Sequence, residues 1–106
     1  MARRGQVLVA LSTVPSTAVG RKIARALVGE HLCACVNLVP GVRSIYRWKG
    51  KLCDEREQLL VIKLPRASLK ALAKRLLELH PYEVPELVAL EVVGGNEKYL
   101  RWVTGE

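Results

Sequence analysis

Two long strand-patterned segments, joined by a short turn, constrain the fold of this chain more than any other feature. The first runs from Ala34 to Trp48 and is interrupted at Pro40-Gly41, a pair that is typical of a β-bulge or bend. The second runs from Leu52 to Leu64, and Lys49-Gly50-Lys51 between them is a turn signal. The two segments therefore predict a long antiparallel hairpin with a projecting tip.

Shorter segments predict the elements that surround this hairpin. They are an apolar strand at Gln6 to Leu11, a helix from Ser16 to about Glu30 capped by Ser16 or Thr17, a second helix opened by Pro65, a fourth strand from Val84 to Val93, and a short terminal helix capped by Asn96. The order β-α-β-β-α-β-α is the split βαβ, or ferredoxin-like, arrangement of the α+β class, an antiparallel sheet with helices on one face. We predict a single ferredoxin-like domain over residues 1–106.

The second face of this sheet needs a cover. Neighbouring apolar pairs such as Val9 and Ala10, or Val61 and Ile62, point to opposite sides of their strands. Helices on one face leave the other apolar face exposed, and self-association is the economical way to bury it. The sequence therefore predicts an oligomer.

Charge and cysteine content restrict the partners and the compartment. The net charge is +7, which favours anionic partners, but the basic residues of the second helix recur at the spacing of a solvated helix face. The strands Val7 to Leu11 and Leu59 to Leu64 lack the aromatics on which RNA-recognition modules stack bases, so no nucleic-acid partner is expected. No apolar run approaches the roughly 20 residues of a membrane span, and no membrane partner is expected. Three cysteines, an odd number, favour reduced thiols and a cytoplasmic location.

The segment His80-Pro81-Tyr82-Glu83-Val84-Pro85-Glu86 is the strongest candidate for a functional loop. It places an imidazole, a phenol and carboxylates between prolines that hold the backbone extended. It also lies at a junction between a helix and a strand, where functional side chains are often displayed. A stiff connector with a histidine near a helix end is the alternative interpretation.

Six segments taken together form a specific pattern across nearly the whole chain. They are Ser12-Thr13-Val14-Pro15, Ile23-Ala24-Arg25-Ala26-Leu27-Val28, Leu32-Cys33-Ala34-Cys35-Val36-Asn37 with Val39-Pro40-Gly41, Ser44-Ile45-Tyr46-Arg47-Trp48-Lys49-Gly50-Lys51, the loop from His80 to Glu86, and Gly95-Asn96-Glu97-Lys98-Tyr99-Leu100. This pattern resembles the CutA family, the divalent-cation tolerance proteins. The resemblance implies a ferredoxin-like subunit assembled as a homotrimer similar to the PII signalling proteins, a role in the response to metal ions, and metal binding, chiefly of copper.

The resemblance also implies where a copper or other divalent metal ion would bind. Carried over residue by residue, the family's cysteine and histidine correspond to Cys35 and His80. Some relatives place a further cysteine where this chain has Ser12, which is a much poorer ligand for a soft metal. The other soft or borderline donors are Cys33, which on a strand would share a face with Cys35, together with Cys53 and His31. Buried structural cysteines are the alternative interpretation.

A second group of residues predicts a cleft for a small molecule or ion where the hairpin meets the proline-framed loop, either within one subunit or between subunits. The group consists of Tyr46, Trp48, Glu57, Lys63, Tyr82 and Glu86. Interface aromatics, with Lys63 paired to an acid, are the alternative interpretation. Enzymatic activity is not expected, because the formal pair Cys35 and His80 has no recognisable third, orienting group. A PII-like sensor or scaffold that binds a small anion or metabolite between subunits is the alternative function.

Overall fold

The computed structural model describes residues 5–105, and these contain one sheet and three α-helices. Residues 1–4 and 106 of the predicted domain lie outside the described range. In chain order the elements are β1 (Val7–Val14), α1 (Thr17–Gly29), β2 (Cys35–Trp48), β3 (Lys51–Pro65), α2 (Leu69–Leu79), β4 (Val88–Glu91) and α3 (Glu97–Val103). A single 3-10 turn, Arg66–Ser68, precedes α2. Between residues 5 and 105, no helix has the length and apolar character that crossing a membrane requires.

The sheet is antiparallel throughout, with the strand order β2-β3-β1-β4. Strand β1 is central, pairing along its full length with β3 and through Leu8 to Leu11 with β4. The long strands β2 and β3 form the predicted hairpin. This topology confirms the ferredoxin-like α+β prediction.

The main core lies between one face of the sheet and helices α1 and α2. The side chains that alternate along β1 and β3, such as Ala10 and Ile62, meet Leu27 and Leu76 from the two helices. Gly20 allows α1 to lie close to the sheet, because a Cβ there would come within 3.1 Å of a Val14 methyl group. We call the opposite side of the sheet, to which Val9, Leu11 and Val61 point, the open face.

Helix α3 covers only one end of the open face. Its residues Leu100 and Val103 bury Val7 in a second, smaller apolar cluster. Large apolar side chains elsewhere on this side of the molecule remain exposed, including Val88 and Leu90 of β4. In the single chain, this face of the sheet is therefore largely uncovered, as the sequence predicts.

The β2–β3 hairpin projects, as the sequence predicts. Its last pair is Trp48 with Lys51, and the two residues between them have positive φ angles, 50° for Lys49 and 78° for Gly50, as a type I′ turn requires. The molecule measures 47 × 25 × 23 Å, and its radius of gyration is 14.4 Å. A compact chain of this length would have about 13 Å, so the projection lengthens the subunit measurably.

Three element boundaries differ from the sequence predictions. Strand β1 continues through Ser12, Thr13 and Val14, because these residues pair with β3. Helix α2 begins at Leu69 rather than at Pro65. Strand β4 is confined to Val88–Glu91, because the preceding residues lie against the hairpin instead of joining the sheet.

The first helix shows how its ends are fixed. The Ser16 hydroxyl accepts a hydrogen bond from the Val19 N–H at 3.2 Å, which selects Ser16 over Thr17 as the N-cap. At the other end, the N–H groups of His31 and Leu32 bond to the carbonyls of Val28 and Leu27, and His31 has a φ of 60°. This is a Schellman motif with His31 in the position usually taken by glycine.

Candidate ligand-binding cleft

The loop at residues 80–86 is held against the end of β1 by His80. This residue is 7% exposed, and its Nε2 lies 2.8 Å from the carbonyl oxygen of Thr13. Its Nδ1 accepts a hydrogen bond from the Tyr82 N–H at 3.2 Å. Because Nδ1 accepts, Nε2 carries the proton and donates to Thr13, so a neutral ring satisfies both bonds. The imidazole therefore fixes the position at which the loop begins.

The bulge in β2 decides which hairpin side chains face this loop. Val39 pairs with Leu59 and Val42 with Glu57, so two residues of β2, Pro40 and Gly41, stand opposite one residue of β3. Leu59 and Glu57 are two apart on β3 and share a face. Because of the extra residue, the β2 side chains on that face come from odd-numbered residues before the bulge and from even-numbered residues after it. The open face therefore extends outwards along the hairpin.

The switch brings Tyr46 and Trp48 onto the same face as Glu57, where the loop lies. The Tyr82 hydroxyl donates a hydrogen bond to Glu57 Oε2 at 2.6 Å, and the Tyr82 ring stacks at a tilt on His80 with 4.7 Å between ring centroids. Tyr46 donates to Glu55 on the neighbouring strand at 2.7 Å.

Hairpin, loop and the end of β1 together enclose a cleft of about 680 Å³. A cavity of this size is typical of small-molecule sites, which usually measure roughly 300–1,000 Å³. The lining residues are Thr13, Ser44, Ile45, Tyr46, Trp48, Glu57, Pro81, Tyr82, Glu83, Val84 and Glu86.

Both phenols of the cleft are held in the neutral, hydrogen-donating form. Burial raises the pKa of Tyr82, and its hydrogen bond to the Glu57 carboxylate raises it further. The hydrogen bond to Glu55 raises the pKa of Tyr46 to about 12. At neutral pH the two rings therefore add hydroxyl donors but no negative charge.

The cleft is acidic although the chain as a whole is basic. Glu57, Glu83 and Glu86 line it, and the lining drawn from residues 5–105 includes no Lys or Arg. Lys49, in the hairpin turn, lies 3.6 Å from a Glu83 oxygen and 5.8 Å from the centre of the Trp48 ring. The Glu83 charge is therefore partly balanced by an exposed lysine.

Five of the six residues predicted for the cleft line it: Tyr46, Trp48, Glu57, Tyr82 and Glu86. Lys63 does not. It pairs with Val9 and Cys35 further along the sheet, and its ammonium group bonds to the side-chain oxygen of Asn37. The strand register, which sequence reasoning did not provide, separates Lys63 from the hairpin.

The two metal candidates stand apart within the subunit. Cys35 is level with Val9, because both pair with Lys63. His80 bonds to Thr13, four residues further along β1, which corresponds to about 13 Å along the strand direction. Both ring nitrogens of His80 are already hydrogen-bonded. Within one subunit these residues do not form a ligand set for copper.

The remaining thiols and His31 do not supply the missing ligands. Cys33 lies before β2 and is buried in the main core, so the expectation that it shares a strand face with Cys35 is wrong. Cys53 is on the outer hairpin, and His31 caps α1. Among residues 5–105, no three His, Cys, Asp or Glu side chains are close enough to hold a metal ion together.

Several lining residues were not singled out from the sequence. Ser44 shares a strand face with Tyr46 and Trp48 through its i, i+2 spacing, so that periodicity could have identified it. Glu83 belongs to the proline-framed loop that the sequence already indicates as a candidate functional loop. Thr13 carried no signal, since its place follows only from the extra length of β1.

Known proteins with similar sequences agree with this architecture. The family model described as "CutA1 divalent ion tolerance protein" matches residues 8–106. The divalent-cation tolerance protein CutA of Thermus thermophilus is 52% identical over 95 residues, covering 90% of this chain and 92% of that protein. Human protein CutA is 46% identical over 99 residues, which are 93% of this chain and 55% of the human protein. The chain thus spans only about half of that longer relative.

Solved structures give the same result. The Thermus thermophilus divalent cation tolerance protein has a TM-score of 0.91 at 49% identity, covering 93% of this chain and 96% of that one. A protein described as PII-like, CutA from Nostoc, has a TM-score of 0.86 at 45% identity, covering 92% and 94%. From its fold and its sequence, this chain belongs to the CutA family of divalent-cation tolerance proteins.

Proposed function

We propose that this protein acts in the response to divalent cations as a homotrimeric, PII-like binding protein that takes up a small ligand in the cleft between hairpin and loop. The observation that carries the proposal is the cleft itself, which is large enough for a small molecule and lined by three aromatic rings. The family's named role supports the link to cations. The proposal includes no catalytic turnover.

The exposed open face supports self-association. Val88, Leu90 and Trp102 are each about half exposed in the isolated subunit, as a surface that meets further copies would be. Closed symmetry buries such surfaces without leaving a free edge. Native mass spectrometry at micromolar concentration should give about 35 kDa, three times the chain mass of 11.8 kDa. A stable monomer would contradict the trimer.

Ligand binding in the cleft can be tested with three probes that share one skeleton and differ in charge: phenethylammonium, 2-phenylethanol and phenylacetate. Trp48 lines the cleft and Trp102 does not, so a Trp102→Phe background makes Trp48 the only tryptophan reporter. At least one probe should change Trp48 fluorescence saturably. Binding, followed by calorimetry, should be lost in Trp48→Ala and kept in Trp102→Phe. No response to any probe would contradict the proposal.

Copper binding at Cys35 and His80 is a second proposal within this function. Cys35 lies partly exposed on the open face, where further subunits would meet, and this observation favours it as a ligand. An ion that used both residues would have to draw them from different subunits. Titration calorimetry with Cu²⁺ and Zn²⁺ on wild type, Cys35→Ser and His80→Ala tests this idea. If the heats of metal binding are unchanged in both variants, Cys35 and His80 are not the ligands.

We further propose a cytoplasmic location, supported by the three free thiols, which suit a reducing compartment. A plant relative, 44% identical over 96 residues, is described as chloroplastic. Fractionation of the source cells, with the protein detected by antibody, would test the location of this chain. Recovery with membranes or in an exported fraction would contradict it.

A further inference from the structure

The charge of the cleft restricts the kind of ligand it can take. Three carboxylates line it, and among residues 5–105 only Lys49, outside the lining, pairs with one of them. An anionic ligand would meet repulsion from Glu57, Glu83 and Glu86 at short range. The small anion considered from the sequence is therefore a poor match for this cavity.

Of the three carboxylates, Glu57 gives the strongest reason to expect a cationic ligand. Its side chain is 5% exposed, and one carboxylate oxygen accepts the Tyr82 hydroxyl. In the described part of the chain, its other oxygen has no hydrogen bond and the carboxylate has no Lys, Arg or His partner. Among residues 5–105, Ser12 Oγ is the one fully buried polar side-chain atom without a partner, so the second Glu57 oxygen stays open to the cleft, where a cation would supply the missing countercharge.

The aromatic walls favour an organic cation over a bare metal ion. Tyr46, Trp48 and Tyr82 present ring surfaces, and cationic nitrogen groups are attracted to such faces. Within residues 5–105, no three His, Cys, Asp or Glu side chains, these carboxylates included, are placed to hold a metal ion together. A larger cation, with its charge at Glu57 and an apolar body against the rings, matches both the volume and the lining.

We propose that the cleft binds a small organic cation, an ammonium or guanidinium group attached to an apolar body. This inference rests on the proposed function, because it specifies the ligand class of the same cleft. The cationic group donates charge-assisted hydrogen bonds to the carboxylates of Glu57 and Glu86, while Trp48 and Tyr46 cover the body. Glu83 stays paired with Lys49 at the rim.

The same three probes test the charge requirement in the Trp102→Phe background. Phenethylammonium should bind at least about tenfold more tightly than 2-phenylethanol, and phenylacetate should not bind measurably. Added salt should weaken the binding of the ammonium probe and leave that of the alcohol unchanged. Equal binding of the alcohol and the ammonium, or tighter binding of phenylacetate, would overturn the inference while leaving a ligand-binding cleft in place.

Substitution of single carboxylates identifies which of them binds the cationic group. Glu57→Gln keeps the shape and an oxygen for Tyr82, so the protein should fold, and phenethylammonium affinity should fall about tenfold. Glu86→Gln changes an outer carboxylate and should cause a smaller loss. Glu78→Gln on α2, outside the lining, is the matched control and should have no effect. An equal loss in Glu57→Gln and Glu78→Gln would contradict binding in the cleft.

A basic side chain from a neighbouring subunit is the rival occupant. In that case the wild type would respond to no probe, and Glu57→Gln would change the mass measured by native mass spectrometry. This result would assign the carboxylates to assembly and overturn the inference. A trimeric mass in Glu57→Gln, together with reduced phenethylammonium binding, supports a free organic cation.

Discussion

At the scale of single residues, one buried hydroxyl stands out because it lacks a partner. Ser12 is fully buried on β1, on the core side of the sheet, and its Oγ makes no hydrogen bond within residues 5–105. An unsatisfied buried hydroxyl costs roughly 1–3 kcal/mol. This position is an imperfection of the core, away from the cleft on the opposite side of the strand.

Removing that hydroxyl should stabilise the protein. Ser12→Ala is expected to raise the free energy of unfolding by about 1 kcal/mol, because the gain from the lost desolvation penalty exceeds the cost of a very small cavity. Chemical denaturation would measure it. Ser44→Ala, at a half-buried strand position, is the matched control and should change little. Lower stability in Ser12→Ala would indicate that the hydroxyl binds a buried water molecule.

Cys33 should be the least reactive thiol of the chain. Burial raises its pKa to about 11, and the neighbouring Cys35 adds to the shift, so almost no thiolate exists at neutral pH. Alkylation at pH 7.5 followed by peptide mass spectrometry should label Cys53 well before Cys33. In denaturant the two rates should become equal. Fast labelling of Cys33 in the folded protein would contradict its burial.

The same thiol predicts a loss of stability at high pH. Its pKa in the folded state lies above the ordinary value of 9.0, so between about pH 9 and 11 the folded chain keeps a proton that the unfolded chain has lost. The contribution to stability is complete below pH 9 and declines as the pH rises through this interval. Denaturation at pH 8 and pH 10.5 should show a smaller decline in Cys33→Val than in wild type. Identical declines would contradict this assignment.

At the scale of elements, the bulge in β2 does the most to shape the cleft. Gly41 has a φ of 74°, in the left-handed region that favours glycine, and a Cβ there would meet no atom within 4 Å. Any penalty for a side chain at this position therefore arises from the backbone alone. The bulge in turn sets the face on which Tyr46 and Trp48 stand.

Gly41→Ala should destabilise the protein by about 1 kcal/mol, the cost of a left-handed conformation for an ordinary residue. Gly94→Ala is the matched control, because its Cβ also meets open space but its φ is not positive. That variant should be neutral or slightly stabilising. Thermal unfolding of the two variants would measure the difference. Equal effects would mean that the turn at Gly41 adopts another conformation in solution.

The sequence was informative where local rules decide the structure. The hairpin, its Pro40-Gly41 bulge and the capping of α3 by Asn96 follow from period-two patterns, turn residues and caps, and the structure confirms each. A fourth strand was predicted and is present, but its start was placed too early, because the loop before it is held by the bond from Tyr82 to Glu57, a contact 25 residues away along the chain. Lys63 was misplaced for the same reason, since its position depends on how the strands pair.

At the scale of the whole molecule, one face of the sheet remains largely uncovered. Leu90 of β4 points to the open face and is 56% exposed, while Leu77 of α2 is 58% exposed on the helical side. The two leucines are equally accessible in the isolated chain. They differ in whether further copies would cover them under the proposed assembly.

Leu90→Arg should therefore reduce the mass measured in solution to that of one chain, because a charge would be buried at the contact between copies. Leu77→Arg, the matched control, should leave the mass of the assembly unchanged. Light scattering after size exclusion would measure both. Dissociation by Leu77→Arg alone would place the contact on the helical side of the sheet.

The hydrogen bond by which His80 holds the loop against β1 has a consequence for how binding depends on ligand concentration. The lining residues named above and the hydrogen bonds that hold the loop against β1 come from one chain. We therefore expect the binding sites of different copies to be independent. Saturation curves should be hyperbolic, with a Hill coefficient near one.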